Sequence, residues 1–467
     1  MTAAERTPAR TRAKVAVLCT VGLTTRLLEH MPNLRAVGEA GFAAPLDTVF
    51  PAVTATVQAT FTTGLLPRDH GAVANGWYHR DQGEIHFWRQ HNALVRGEKV
   101  WQAARAADPA HSTAYLCWWW AMGADVDTIL TPRPVYRYDG RKQPDCYTVP
   151  AGLRDELTAE LGEFPLFTYW GPTAGINSTR WIAAAARLVV DRRGPDLSFV
   201  YIPHLDYDLQ RFGPDSPQAV RAAREADAAL GPLLDDLRER GTTVLALSEY
   251  GISPVRRPVD INRALRREGL LKVYAQRGME YLDTYTSRAF AVADHQVAHV
   301  YVKDPADVAR TRDLLAALPG VDEVHDRAAQ EKLGIDHANA GELVVVAEPG
   351  AWFTYYYWLD DERAPDFARG VEIHRKPGYD PAELFFDPAD PLVKAKAALT
   401  VARKKAGMRA PMTVVPLDPS CVRGSHGRLP EDDRDGPVLL CSDGSQARDR
   451  YRATEVKDLI LRLQGLG

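Results

Sequence analysis

No run of about 18 consecutive apolar residues occurs in the chain, so no part of it is expected to cross a membrane. Cysteine is scarce: Cys19, Cys117, Cys146, Cys421 and Cys441 are scattered, odd in number, and form no Cys-x-x-Cys pair. That pattern argues against a disulfide framework or a structural zinc site and fits a reducing compartment. Arg6, Arg10, Arg12 and Lys14 make the N-terminus basic, but no apolar signal core follows them, so a cytoplasmic location is expected. There is no excess of positive charge either. A net charge of −4 and a pI near 6.4 give no electrostatic reason to expect nucleic acid as a partner. Internal repeats and low-complexity segments are also absent.

What remains is the composition of a soluble globular enzyme, with 45% hydrophobic and 25% charged residues, in a chain too long for one small core. Continuous apolar runs at 15–19, 197–202 and 243–247 read as buried parallel strands. The first leads through a Gly-containing turn to a helix carrying Leu27, Leu28, Met31 and Leu34. Strand, turn and helix in that order open a doubly wound sheet, whose sites lie beyond the carboxyl ends of the strands. Long helical stretches are expected at 181–190 and 218–240. The segment 289–302 alternates like one strand, and a helix at 308–318 and a strand at 341–347 follow it. Residues 1–13 read as a disordered tail, 14–254 with 401–467 as a core domain, and 255–400 as a smaller inserted α+β unit.

The stretch at 51–76 organises the chemistry. Pro51 and small residues suit a turn leaving a strand, and Thr54 is presented where a helix begins, in the field of unpaired backbone N–H groups. Gly64-Leu65-Leu66-Pro67 stops that helix, and Asp69-His70-Gly71 leads to Asn75-Gly76. On local grounds alone an ordinary helix cap is the favoured reading of Thr54. Just past the second buried strand, His204, Asp206 and Asp208 occupy alternate positions, a site signal at a strand end. Past the third comes Ser248-Glu249-Tyr250-Gly251. Dense aromatics between 77 and 150, with Trp118-Trp119-Trp120 at their centre, serve a core or a pocket wall equally well. Arg133, Asp139-Gly140-Arg141-Lys142 and His374-Arg375-Lys376 are loop groups suited to a phosphate or carboxylate.

These motifs together resemble the alkaline-phosphatase superfamily, in its nucleotide pyrophosphatase and type I phosphodiesterase branch. The resemblance implies an alkaline-phosphatase-like fold: a mostly parallel α/β sheet flanked by helices, with an inserted α+β cap. It implies Thr54 as nucleophile and Asn75 as the group binding the phosphoryl oxygen. It further assigns Asp206 and His426, the latter in Arg423-Gly424-Ser425-His426-Gly427, to a first metal, and Glu249 to a second. The chain departs from the pattern at Val21 for an aspartate, Gln210 for a histidine and Tyr250 for a histidine. Tyrosine is a poor replacement for imidazole in a zinc or manganese site. At most one divalent metal, zinc or manganese, is therefore expected, held by Asp206, His426 and Glu249.

The expected function is hydrolysis of a phosphodiester, pyrophosphate or phosphate ester of a small anionic metabolite, with Thr54 attacking and Asn75 steadying the oxyanion. His204, Asp208, Gln210, His374, Arg375 and Lys376 are the expected substrate contacts. Two alternatives stand beside this reading. One is a metal-free transferase or hydrolase with Glu249, Tyr250 or His204 as acid–base groups. The other is a non-catalytic protein that binds a phosphorylated ligand or a partner on the same fold.

Overall fold

The computed structural model describes residues 13–138 and 141–467. Almost all of the basic tail, and Asp139 and Gly140 of the expected anion loop, lie outside the described residues. In chain order the strands that matter here are Val15–Thr20 (β1), Phe42–Asp47 (β2), Thr113–Leu116 (β3), Thr128–Pro132 (β4), Cys146–Val149 (β5), Leu197–Ile202 (β6) and Thr243–Leu247 (β7). They continue with Ala289–Asp294 (β8), Val297–Val302 (β9), Val321–His325 (β10), Leu343–Ala347 (β11), Val438–Cys441 (β12) and Tyr451–Arg452 (β13). The helices that position the site are Thr54–Thr63 (α1), Ile176–Arg193 (α2), His204–Phe212 (α3) and Pro217–Glu239 (α4).

The main sheet runs β13-β2-β12-β7-β1-β6-β3-β4-β5. Its centre, β7-β1-β6-β3-β4, is parallel throughout, while β12 and β5 are added antiparallel. β1 and β6 are buried along their whole length, because helices cover both faces of the sheet and every residue of these strands must be apolar or satisfied. Val15 pairs with both Leu197 and Thr243, so β6, β1 and β7 end level with one another. Their carboxyl ends deliver Val21, α3 and Ser248-Glu249-Tyr250 to one place. α4 starts cleanly, with the Ser216 hydroxyl accepting from the Ala219 N–H and Pro217 in its first turn, where no N–H is needed. It packs with α2 and α3 on one face of the sheet.

Two local expectations change. The single helix through Leu27 and Leu34 is two, Thr25–Leu28 and Pro32–Ala40, because Pro32 cannot continue a helix but suits the first turn of a new one. The single strand at 289–302 is a hairpin, β8 and β9, turning at His295, whose φ is 62°. A non-glycine residue in that region strains the backbone, and no Gly marked the turn in the sequence.

β8, β9, β11 and β10 form a second, antiparallel sheet in that order. Its apolar side does not close on itself. Phe290, Val300, Val345 and Trp358 share one buried cluster with Phe50, Ala55, Trp77 and Trp120, so the inserted unit packs onto the helix that carries Thr54. Each large side chain in that cluster contributes about 1.5–3 kcal/mol of burial. The unit is thereby held against α1.

Candidate active site

α1 is buried at all ten of its positions, an arrangement its Ala, Thr and Val content permits because small and β-branched side chains pack closely and need few partners. It ends where Gly64 takes a left-handed conformation (φ 72°). The helix cap is Val53, whose side chain bonds nothing, and Thr54 is the first helical residue. Its hydroxyl is therefore not spent as a cap. It meets the phenol of Tyr250 at 2.9 Å. Beside it, Asn75 accepts from the Ala55 N–H at 2.9 Å through Oδ1, and through Nδ2 donates to Asp294 at 3.1 Å. The indole of Trp120 donates to the Ala55 carbonyl at 2.8 Å, which pins the first turn from the other side.

Glu249 is fully buried and accepts from Gln58 Nε2 at 2.8 Å through Oε1. Gln58 lies four residues along α1 from Thr54, on the same face, and its own carbonyl accepts from the Trp119 N–H at 2.7 Å. Asp206, in the first turn of α3, is also buried, with Oδ1 unpartnered. Burial pushes Asp206 up to about 7, with the Glu249 charge adding to it and Gln210 opposing. Burial raises Glu249 as well, against hydrogen bonds from Cys19 and Gln58, and raises Asp294 to about 7. Among the described residues no guanidinium or ammonium shifts these three carboxyls.

A column of four rings stands over the carboxyls. Tyr250 lies flat on His426, with centroids 3.5 Å apart and planes 9° apart. His426 meets His295 at 3.6 Å, and His295 meets Tyr379 at 3.7 Å. The Tyr379 hydroxyl closes the column on Gln210, at 3.3 Å from its Nε2. His426 Nδ1 lies 2.8 Å from the Ala52 carbonyl, which can only accept, so Nδ1 carries the proton. Burial holds His426 down to about 3, and the ring is neutral. Burial likewise holds Tyr250 and Tyr379 well above ordinary phenols, so both stay protonated. Gly424 lets the closing segment reach this position: a Cβ there would come 2.2 Å from the Leu209 carbonyl of α3.

A two-metal centre does not fit this donor set. Among the described residues no three His, Cys, Asp or Glu side chains converge on a point where a cation could sit. The positions that differ explain why. Val21 is an apolar core residue, Gln210 spends its amide on Tyr379, and Tyr250 covers the face of the one retained histidine. The expected grouping of Asp206, His426 and Glu249 around one ion is therefore not assembled.

The expected substrate contacts separate into three groups. Gln210 faces the ring column. His204 and Asp208 do not join Asp206, because the segment after β6 is a helix, in which alternate residues point to different faces. His204 meets Glu225 of α4 at 3.2 Å, and Asp208 pairs with Arg211 and Arg221. Lys376 is buried between Asp380 (2.7 Å) and Glu383 (3.0 Å), an ammonium already matched by two carboxylates. His374 lies 3.4 Å from the Phe87 carbonyl, and Arg375 is exposed beside Glu372. In the aromatic stretch, Trp118 and Trp120 belong to the core, whereas Tyr138 is exposed. Arg133 bonds Gln90 and Lys142 bonds the Val371 carbonyl. Gln58, Asp294, His295 and Tyr379 went unread in the sequence. Asp294 and His295 had a signal, a polar pair interrupting an apolar alternation, but it marks a turn and not a destination.

Solved structures with this fold include murine ectonucleotide pyrophosphatase/phosphodiesterase 5, an inactive form in complex with AMP, at a TM-score of 0.58 and 16% identity over 97% of this chain and 96% of that one. Phosphonoacetate hydrolase from Sinorhizobium meliloti 1021, in complex with phosphonoformate, superposes at 0.61 with 15% identity, covering 97% and 95% of the two chains. An uncharacterized pyrophosphatase/phosphodiesterase of Schizosaccharomyces pombe (strain 972) is 25% identical over 234 residues, 48% of this chain and 41% of that protein's length. No helix among the described residues is long and apolar enough to cross a membrane. The sequence itself matches the type I phosphodiesterase / nucleotide pyrophosphatase family across residues 15–380, from the first strand to Asp380, and the chain belongs to that family.

Proposed function

We propose that the chain hydrolyses a phosphodiester, pyrophosphate or phosphate ester of a small metabolite at Thr54, without the two-metal centre of its family. The observation that carries this reading is the Thr54 hydroxyl, free of capping duty at the head of a buried helix and held by the Tyr250 phenol at 2.9 Å. Thr54 Oγ1 attacks phosphorus, the bond from phosphorus to the leaving-group oxygen breaks, and the Tyr250 hydroxyl takes the Thr54 proton while passing its own to the departing oxygen. Water then releases the phosphoryl group from Thr54. Asn75 keeps one Nδ2 hydrogen beyond its bond to Asp294, and this hydrogen is the donor to a phosphoryl oxygen. Among the described residues no guanidinium or ammonium acts on these carboxyls, and a partly protonated Asp206 receives the anion instead. Asp206, pushed up to about 7, is protonated in part of the population at neutral pH, and a buried neutral carboxyl donates a hydrogen bond. The relatives in complex with AMP and phosphonoformate support a small phosphorus-containing substrate.

Turnover of bis(p-nitrophenyl) phosphate by Thr54→Ala tests the reading. A loss of at least about a thousandfold is expected for a removed nucleophile, with part of the rate kept by Thr54→Ser. Equal rates for Thr54→Ala and wild type would refute it. A second reading, ligand binding without turnover, is favoured by the burial of Thr54 beneath the ring column. It predicts no hydrolysis by any of the three proteins and retained binding of the ester.

A further inference from the structure

The tip of the β8–β9 hairpin comes from the inserted unit, yet it ends inside the site of the main sheet. Asp294 is buried there and bonds Asn75 twice: the Asn75 backbone N–H reaches Oδ2 at 2.7 Å, and Nδ2 reaches Oδ1 at 3.1 Å. A carboxylate oxygen only accepts, and the Ala55 N–H on the other side of Asn75 only donates. Between these two neighbours a side-chain amide has one satisfied orientation, with Nδ2 toward Asp294 and Oδ1 toward Ala55. We infer that Asp294 is a positioning residue: it fixes the Asn75 amide so that its second N–H, and not its carbonyl, is presented beside Thr54 to a phosphoryl oxygen. The inserted unit is then part of the anion-reading machinery and not merely a cover. This inference rests on the reading of Thr54 and Asn75 given above.

The same geometry supplies a test that separates positioning from scaffolding. Asp294→Asn leaves one acceptor for two Asn75 donors, so either the Asn75 backbone N–H loses its partner or the side-chain amide must turn. Adding Asn75→Asp restores complementarity by exchanging the two side chains. The amide, now on the hairpin, donates to the carboxylate that faces it and accepts the backbone N–H next to that carboxylate. The carboxylate in turn still accepts from the Ala55 N–H. The double variant therefore regains every internal hydrogen bond but presents an acceptor to the phosphoryl group.

Wild type, Asn75→Ala, Asp294→Asn and Asp294→Asn/Asn75→Asp are compared by thermal midpoint and by kcat and KM for bis(p-nitrophenyl) phosphate. Asn75→Ala and Asp294→Asn are each expected to lose about a hundredfold in kcat, the scale of one oxyanion donor. The double variant is expected to regain the thermal midpoint while its kcat stays low. If Asp294→Asn does not fold, Asp294→Ala, which removes the acceptor without setting a donor in its place, carries the test. Recovery of kcat in the double variant, which has no Asn75 side-chain N–H, would refute Asn75 as the donor and overturn the inference with it. An Asp294→Asn rate near wild type alongside a slow Asn75→Ala would overturn the inference alone. A wild-type rate in Asn75→Ala would instead refute the underlying reading of Asn75. Should the wild type not turn over this ester, calorimetric binding of inorganic phosphate to the four proteins, read by the same order of loss, decides the point.

Discussion

Tyr250 is where this chain parts most sharply from its family. Where the pattern has an imidazole, the phenol both covers His426 and takes the Thr54 hydroxyl. Tyr250→Phe keeps the ring in the column and deletes one hydrogen bond, a change worth about 0.5–1.5 kcal/mol. The expected result is a fall in kcat for bis(p-nitrophenyl) phosphate of about tenfold, with the thermal midpoint nearly unchanged. An unchanged kcat would separate Tyr250 from the chemistry. The sequence showed the substitution but not its consequence. Whether a tyrosine beside a retained histidine points away or lies flat on it depends on His295, which approaches from a hairpin some 45 residues distant in sequence. Pairing across that separation leaves no local trace. Asn75 was legible as a donor, whereas Asp294, which orients it, was not, for the same reason.

At the scale of elements, the outcome followed the kind of signal each segment carried. Continuous apolar runs located β1, β6 and β7 because a strand buried on both faces has no polar position to blur it. Alternation misled at His204, Asp206 and Asp208, since the chain turns helical immediately after β6 and period two no longer describes which side chains meet. The segment around Lys376 shows a third case. Read locally, His374-Arg375-Lys376 is an anion-binding loop. In the fold, Lys376 ties the segment together through Asp380, Glu383 and the Ala368 carbonyl, and Glu383 in turn accepts from the Trp170 indole. Lys376→Met would leave two buried carboxylates without their cation, and removing one partner of such a cluster costs about 3–5 kcal/mol. Urea unfolding should show that loss as a lower midpoint. A variant within about 1 kcal/mol of wild type would mean the cluster opens to water.

Across the whole molecule, the interior holds its histidines neutral. Burial lowers His70 and His426 to about 3 and His299 to about 4, and holds His295 well below an ordinary imidazole. Folded values below the unfolded value of about 6.5 mean that, as pH falls through that value, the unfolded chain takes up protons first. Stability contributed by these residues is complete above about 6.5 and is lost progressively between there and about 3. Asp206 and Asp294, raised to about 7, act in the opposite sense over the same window, because the folded state binds their protons first. Among the described residues ten histidines are lowered by folding against five carboxyls raised, Asp206, Asp227, Glu249, Asp294 and Asp380, so the thermal midpoint is expected to fall between about pH 6.5 and 4.5. A midpoint that rises on acidification would show that the carboxyls dominate. None of this was readable from composition, since the count of histidines says nothing about their burial.

The central claim is that Thr54 works in a site whose metal-ligand positions have been given over to a ring column. The most direct measurement is hydrolysis of bis(p-nitrophenyl) phosphate by wild type and Thr54→Ala, before and after exhaustive chelation, with metal content determined on the same samples. The account predicts that chelated wild type keeps its rate and that Thr54→Ala has none under either condition. Two zinc or manganese ions per chain, with activity lost on chelation and restored by the metal, would contradict it.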